Sequence, residues 1–161
     1  MYWSKFSGEF SFKNVCLGKR IKGLFSVTDP NYKNSDKSVF VNAQSTEINK
    51  LSDLNNYIGK EVGLSEWTTI TQDQIDAFAK ITDDNQWIHI SPELCEKHSP
   101  YKKPVAHGFL VLSLAPKFCY ETLKLNNVSM AVNYGCDKVR FMNATRVNSS
   151  IRARISVISF E

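Results

Sequence analysis

A short polar segment carries the residue types in this chain that are best able to move protons. Asp84 and His89 lie five positions apart within residues 81–89, whose sequence is ITDDNQWIH. Carboxylate and imidazole groups often exchange protons near neutral pH, because burial and neighbouring charges bring their pKa values towards the working pH. In a non-helical turn both side chains could point into one cleft as an acid/base pair, although the same spacing also suits local hydrogen bonding or capping.

A second segment, PVAHGFL at residues 104–110, predicts a helix that begins near His107 and Gly108. The first backbone N–H groups of a helix have no intrahelical acceptor and lie at the positive end of the helix dipole. Gly108 has no side chain to block its backbone, so its N–H could bind an oxygen on which negative charge develops. The two segments together could supply an acid/base pair and an oxyanion site.

Taken as blocks, IDAFAKITDDNQWIHISPEL and SPYKKPVAHGFLVLSL resemble the MaoC-like dehydratases, which include the (R)-specific enoyl-CoA hydratases, and within them the nodulation protein N type. The similarity covers about residues 57–161. It consists of a Phe-Ala helix, an Asp with a His five residues later, a helix with an acidic start, and an Ala-His-Gly opening of a long apolar helix. The resemblance implies a hydro-lyase that reversibly adds water to a trans-2-enoyl thioester and gives the (3R)-hydroxyacyl product.

The resemblance also implies a role for each matching residue. Asp84 and His89 match the catalytic pair that activates water and moves the α-proton of the thioester. Gly108 matches the glycine whose N–H binds the thioester oxygen. No redox cofactor is implied, and coenzyme A or an acyl-carrier pantetheine would be part of the substrate.

Substrate contacts are expected from three further residues, namely Gln86, Trp87 and His107. Gln86 and Trp87 are typical of the nodulation protein N type. Trp87 could instead pack the turn, and His107 could cap or pack the helix start instead of lining the pocket. Several positions depart from the usual family pattern. Asp83 stands where glycine is usual, and Pro116 stands where many hydratases carry serine. Gln86 and Trp87 stand where the family often has Asn and Pro, which we interpret as a mark of the subgroup.

Other functions remain open. A hot-dog thioesterase would release a free acid, and a non-catalytic module would bind an acyl-CoA or a protein partner without turnover. The residues Asp83, Asp84, His89 and His107 could ligate a metal by type, but their spacing matches no zinc pattern, so no metal is expected.

The resemblance implies an α+β hot-dog fold, in which a curved antiparallel sheet wraps around a long central helix. The apolar segment 105–120 predicts that buried helix, and Pro116 should kink or shift it. A capping-box pattern at Thr71 and Gln74 predicts a helix over about 72–81.

Another helix is predicted to begin at Ser91-Pro92-Glu93, which combines a cap residue with Pro at the first helical position. Alternating apolar residues over 151–157 predict a half-buried strand, and residues 139–141 predict a further one. Residues 29–50 indicate a loop, in which 38–41 could form a short strand.

The ends of the chain predict the domain organisation. The family normally continues with one or two more strands, whereas this chain stops at Glu161. Either residues 1–50 supply substitute strands or the domain lacks its last strands. We therefore divide the chain into an N-terminal extension of unknown role, residues 1–50, and a MaoC-like hot-dog domain, residues 51–161.

Composition excludes several classes of protein. The chain has 161 residues, of which 42% are hydrophobic, and this suits one ordinary core. The formal net charge of +4 lies entirely in residues 1–50. Because the basic residues there are dispersed among Asn and Ser, a solvated segment is favoured over contacts with nucleic acid, a membrane or coenzyme phosphates. No window approaches the ~20 apolar residues of a transmembrane helix.

Location and assembly follow from the remaining patterns. The 4 cysteines include no CxxC pair, which indicates reduced thiols and a cytoplasmic protein. An organelle transit peptide is the open alternative, since Glu9 is the one acid among the first 28 residues. Hot-dog domains of this kind pair their sheets edge to edge, so a homodimer is expected.

Overall fold

The structure, a computed structural model, describes residues 10–16, 19–28 and 42–161. Strands and short helices form an α+β arrangement, in which the five described α-helices follow one another between β5 and β6. In chain order the elements are β1 (Phe10–Cys16), β2 (Lys19–Thr28), β3 (Thr46–Ile48), a 3₁₀ helix (Leu51–Tyr57), β4 (Glu61–Leu64), β5 (Thr68–Thr69), α1 (Gln72–Thr82), α2 (Trp87–Ile90), α3 (Pro92–His98), α4 (Gly108–Ser113), α5 (Ala115–Thr122), β6 (Leu123–Leu125), β7 (Val132–Cys136) and β8 (Ser150–Phe160).

The longest strand, β8, organises the main sheet. It pairs antiparallel with β4 on one side and with β2 on the other, and the strand order is β4-β8-β2-β1-β7, with β5 also paired to β8. Its apolar positions Ile151, Ala153, Ile155 and Val157 are buried in the core. The strand predicted from the alternation over 151–157 is therefore confirmed.

The first fifty residues contribute two strands to this sheet. β2 runs antiparallel to β8 from Ile21 opposite Phe160 to Thr28 opposite Arg152. β1 pairs with β2 and also with β7. The hairpin of β1 and β2 thus lies between β8 and β7, so residues of the N-terminal segment belong to the main sheet. Whether these strands substitute for missing C-terminal ones stays a prediction.

The loop predicted over 29–50 is wrong in part. Residues 46–48 form β3, which pairs in parallel with β6 in a separate two-stranded sheet. The hydrogen bond partners of this strand come from residues 123–125, so no local pattern could reveal the pairing. The short strand predicted at 38–41 lies outside the described residues.

Helix α1 begins as its capping pattern predicts. The Thr71 hydroxyl accepts a hydrogen bond from the Gln74 N–H at 3.3 Å, and the Gln74 side chain accepts one from the Thr71 N–H at 2.9 Å. Ile75 and Ala79 are buried on one face of the helix. The prediction of a helix over 72–81 is confirmed, and α3 likewise begins after Ser91, whose side chain accepts from the Leu94 N–H.

The central apolar segment forms two helices, α4 and α5, which meet at Leu114. Pro116 lies in the first turn of α5, where its missing N–H removes no intrahelical hydrogen bond. Leu110, Val111 and Phe118 are buried and belong to the same core as β8. The buried helix is confirmed from Gly108 onwards, whereas residues 105–107 lie outside it, and the expected disturbance by Pro116 takes the form of a break at Leu114.

The strand predicted at residues 139–141 is wrong. This segment has no regular structure, and the strand that precedes it is β7. Phe141 packs its ring against Phe109, with ring centroids 5.6 Å apart, instead of pairing with a strand. Within the part of the chain that the structure describes, no helix has the length and apolar character needed to cross a membrane.

Candidate active site

The turn that follows α1 depends on an unusual backbone conformation at Asp83. Its φ of 58° and ψ of 20° lie in the left-handed region, which Asp and Asn tolerate better than most residues and which glycine adopts freely. The Asp83 side chain accepts a hydrogen bond from the Asn85 amide at 3.0 Å. This conformation explains why glycine suits this position in the family, and it redirects the chain so that Asp84 turns back towards α2.

His89 lies in α2 and is fixed by a backbone carbonyl. Its Nδ1 donates a hydrogen bond to the carbonyl oxygen of Val105 at 2.6 Å. The Val105 N–H in turn donates to the carbonyl of Ile88 at 3.1 Å, so the two segments are tied together. Because the proton of the neutral ring is on Nδ1, Nε2 carries the lone pair and can accept a proton.

His107 lies beneath this ring and is 3% exposed. The rings of His89 and His107 are stacked, with centroids 3.7 Å apart and planes 25° apart. The Nε2 of His107 donates to the backbone carbonyl of Asp84 at 3.0 Å, while the nearer carboxylate oxygen of Asp84 lies 4.0 Å from the same nitrogen. The turn of Asp84 is thereby anchored to the residue that precedes α4.

The structure brings the two predicted catalytic side chains together. One side-chain ligand atom from each of Asp84, His89 and His107 lies within 4.8 Å of the others. The Asp84 side chain is 42% exposed, so a substrate or a water molecule can reach it. Partial burial lowers the pKa of His89, the hydrogen bond to Val105 raises it, the proximity of His107 lowers it, and Asp84 raises it, with a net lowering. His89 is therefore suited to act as a neutral base.

Asp84, His89 and His107 also lie close enough together to be considered as metal ligands. Two stacked imidazoles direct their in-plane lone pairs side by side, whereas a metal needs lone pairs that converge on one point about 2 Å from each nitrogen. In addition, Nδ1 of His89 and Nε2 of His107 are already engaged by carbonyl oxygens. The expectation that no metal binds here stays a prediction.

Gly108 begins α4, so its N–H has no intrahelical acceptor. A β-carbon placed on it would lie 2.6 Å from Cδ2 of Phe141, which is far inside van der Waals contact. Gly108 and Phe141 also line a pocket of about 230 Å³, together with Ala106, Val111 and Thr145 among others. Glycine is needed here for the close approach of the Phe141 ring, whatever its N–H binds.

The predicted substrate contacts occupy different environments. Gln86 precedes α2 and Trp87 begins it, and both side chains are exposed, Trp87 by 42%. His107 is buried and contacts His89, as described above. Their contacts with substrate stay predictions.

Sequence reasoning missed two participants. Val105 acts through its carbonyl oxygen, and a backbone group leaves no trace in the residue type. Phe141 lies far along the chain from Gly108. The one available signal was a glycine at the start of a helix, which can indicate that another group approaches closely.

Comparison with known protein families finds a match over most of the chain. Residues 53–160 match the family described as MaoC like domain. This chain belongs to that family. The hot-dog fold expected from the resemblance is thus confirmed, with the antiparallel sheet and buried helix of the structure in agreement.

Two relatives resemble this chain in sequence over most of its length. The chain is 40% identical over 111 residues to 3-hydroxyacyl-thioester dehydratase Z of Mycobacterium tuberculosis. The matched residues make up 69% of this chain and 73% of that protein. It is 43% identical over 105 residues to Nodulation protein N of Rhizobium leguminosarum bv. viciae, covering 65% of each. The predicted resemblance to the nodulation protein N type is confirmed.

Proposed function

We propose that this protein is an (R)-specific enoyl-CoA hydratase, equivalently a 3-hydroxyacyl-thioester dehydratase, with Asp84 and His89 as its catalytic pair. The observation that carries the proposal is the convergence of a half-exposed carboxylate and an imidazole whose Nε2 is available as a base. Membership of the MaoC family and the printed name of the mycobacterial relative support the same reaction.

In the hydration direction, His89 Nε2 takes a proton from a water molecule that the Asp84 carboxylate orients. The water oxygen bonds to C3 of the enoyl thioester, and the C2–C3 π electrons move onto the thioester oxygen to form an enolate. The proton on His89 is then delivered to C2 as the enolate collapses. One water is added and no electrons are gained or lost, so this chemistry requires no redox cofactor.

Gly108 supplies the oxyanion donor in this scheme. Its N–H is free of an intrahelical acceptor and lies one residue after His107, which is anchored to the Asp84 turn. A fixed donor aimed at a developing oxyanion is worth about 3 kcal/mol in comparable sites. Coenzyme A or a carrier-protein pantetheine would enter as part of the substrate.

The proposal includes a homodimer in the cytoplasm. Among the described strands β7 is the last of its sheet, and all five of its residues are exposed, with Tyr134 62% exposed. An exposed edge strand with apolar side chains is a ready surface for a second sheet. Light scattering that finds an active monomer at micromolar concentration would contradict the dimer.

The function is tested by incubating the purified chain with crotonyl-CoA and resolving the product on a chiral phase. We expect (3R)-hydroxybutyryl-CoA. Release of free acid would identify a thioesterase instead, and saturable binding without turnover would identify a non-catalytic module.

A further inference from the structure

His107 is the least accessible of the polar groups at the site, and its contacts are with the catalytic pair. The ring packs between His89, at a centroid distance of 3.7 Å, and Phe78, at 5.1 Å. With 3% exposure the side chain has little surface left for a substrate. Its position points to a role exercised through its neighbours.

The proton of the neutral ring can be assigned. Nε2 faces the Asp84 carbonyl at 3.0 Å, and a carbonyl oxygen can only accept, so Nε2 carries the hydrogen. Nδ1 is buried and has no hydrogen-bond partner among the described residues. A bare lone pair in that place costs less than a buried N–H without an acceptor. The Nε2–H form is therefore the one that fits.

This contact restrains Asp84 through its backbone. The left-handed conformation of Asp83 sets the direction in which the chain leaves α1, and the hydrogen bond from His107 holds the next carbonyl. The Asp84 carboxylate remains half-exposed while its main chain is held on both sides. A side chain so placed can react without drifting from His89.

The same ring also restrains His89. Val105 fixes which nitrogen of His89 carries the proton, and the stacked ring of His107 fixes the plane in which the free Nε2 points. Gly108 follows His107 directly. Residues 105–108 therefore orient the base, the carboxylate turn and the oxyanion donor together.

We propose that His107 is a positioning residue, which holds the Asp84 backbone and the His89 ring in register for proton transfer and does not contact the substrate. The expected change in kcat rests on the proposed function, but the hydrogen bonding and stacking of His107 can be tested without turnover. Electrostatics add a readout, because the proximity of His107 lowers the pKa of His89 while Asp84 raises it.

Two substitutions separate the two contacts. His107→Phe keeps a flat ring for stacking but removes the donor to Asp84, and His107→Gln keeps an N–H donor but removes the ring. Each should lower kcat by up to about 100-fold, as small misplacements of reacting groups do, with little change in KM. His98→Gln, which alters an exposed histidine at the end of α3, should leave both constants unchanged.

The pH dependence distinguishes positioning from mere packing. Hydration requires neutral His89, so kcat should fall as pH decreases through the His89 pKa. His107→Phe removes the group that opposes protonation of His89, and the acidic limb of kcat should therefore move to higher pH. A rise in KM with unchanged kcat would show that His107 is a substrate contact, and unchanged kcat and pH limb in His107→Phe would show that it only fills space. Either result would overturn the proposal.

An NMR titration provides a test that does not depend on activity. The chain has 3 histidines, so the His98→Gln variant leaves only the signals of His89 and His107. We expect the proton of neutral His107 on Nε2, that of neutral His89 on Nδ1, and a rise in the His89 pKa when His107→Phe is added. If the wild type fails to hydrate crotonyl-CoA but these signals appear, the proposed function is wrong and the positioning role stands. A His107 proton on Nδ1 would reject the positioning role. Should His107→Phe not fold, the tautomer in the His98→Gln variant and the kcat of His107→Gln decide.

Discussion

Two segments meet at the site, and they contribute opposite kinds of groups. The turn from Asp83 to His89 carries the reactive side chains at partly exposed positions, whereas residues 105–108 contribute backbone groups and one buried ring. The Asp84 side chain is 42% exposed and that of His107 is 3% exposed. The segment that carries the proposed catalytic pair is open to solvent, and the segment proposed to position it is shielded.

This difference follows from what each task requires. A group that exchanges protons with a substrate must be reachable. A group that sets geometry gains from burial, because hydrogen bonds in a low-dielectric interior are stronger and compete with no water. The comparison predicts that changes in the turn act on chemistry, and that changes near 105–108 act on chemistry and packing together.

The largest effect is expected in the reactive turn. Asp84→Asn and His89→Ala should each lower hydration turnover by about 10²- to 10⁴-fold, the usual loss for a positioned acid or base. Thermal melting should change little, since both side chains are partly exposed. Steady-state kinetics and calorimetry on the same preparations check the two expectations. Near-normal turnover in both variants would remove the pair from the mechanism.

An effect of comparable size, but one that discriminates between two causes, is expected at Gly108, where chemistry and packing coincide. Gly108→Ala places a β-carbon against the Phe141 ring, so it should lower both the melting temperature and the turnover. If the N–H binds the thioester oxygen, the β-carbon also crowds the substrate, and turnover should fall by roughly 10²-fold or more. Gly108→Val should abolish detectable hydration.

The double variant Gly108→Ala with Phe141→Ala separates the two causes. Removing the Phe141 ring should restore the melting temperature but not the turnover, and Phe141→Ala alone is the matched control. Full recovery of turnover in the double variant would make Gly108 a packing residue and place the oxyanion donor elsewhere.

The smallest effect is expected at Asp83, which shapes the turn without taking part in the reaction. Asp83→Gly removes the steric strain of the left-handed conformation and should be tolerated, although it loses the hydrogen bond from Asn85. Asp83→Ala keeps a β-carbon in that conformation, so it should be less stable than the glycine variant by roughly 1 kcal/mol. Urea denaturation of the two variants measures the difference. Equal stability would mean that the turn relaxes away from this conformation.

Prediction from sequence succeeded where the determinants are local. The capping box at Thr71 and the cap at Ser91 each lie within three or four residues of the helix that they start, and the alternation over 151–157 reports one buried face of one strand. The strand at 139–141 failed because Phe141 packs on the opening of α4 instead of joining a sheet. The strand at 46–48 was missed because its partner is about 77 positions away.

The amino-acid sequence by itself determined the family, the helix starts and the identity of Asp84, His89 and Gly108 as candidates, since these depend on residue types at short and regular spacings. Only the tertiary structure decided how they are held. The carbonyl of Val105, the stacking of His107 on His89, the ring of Phe141 over Gly108 and the place of the N-terminal hairpin between β8 and β7 all join residues distant in the chain. Such contacts arise only when the whole core packs. The residue type at one position reveals neither which backbone oxygen will accept a hydrogen bond nor where a ring will finally lie.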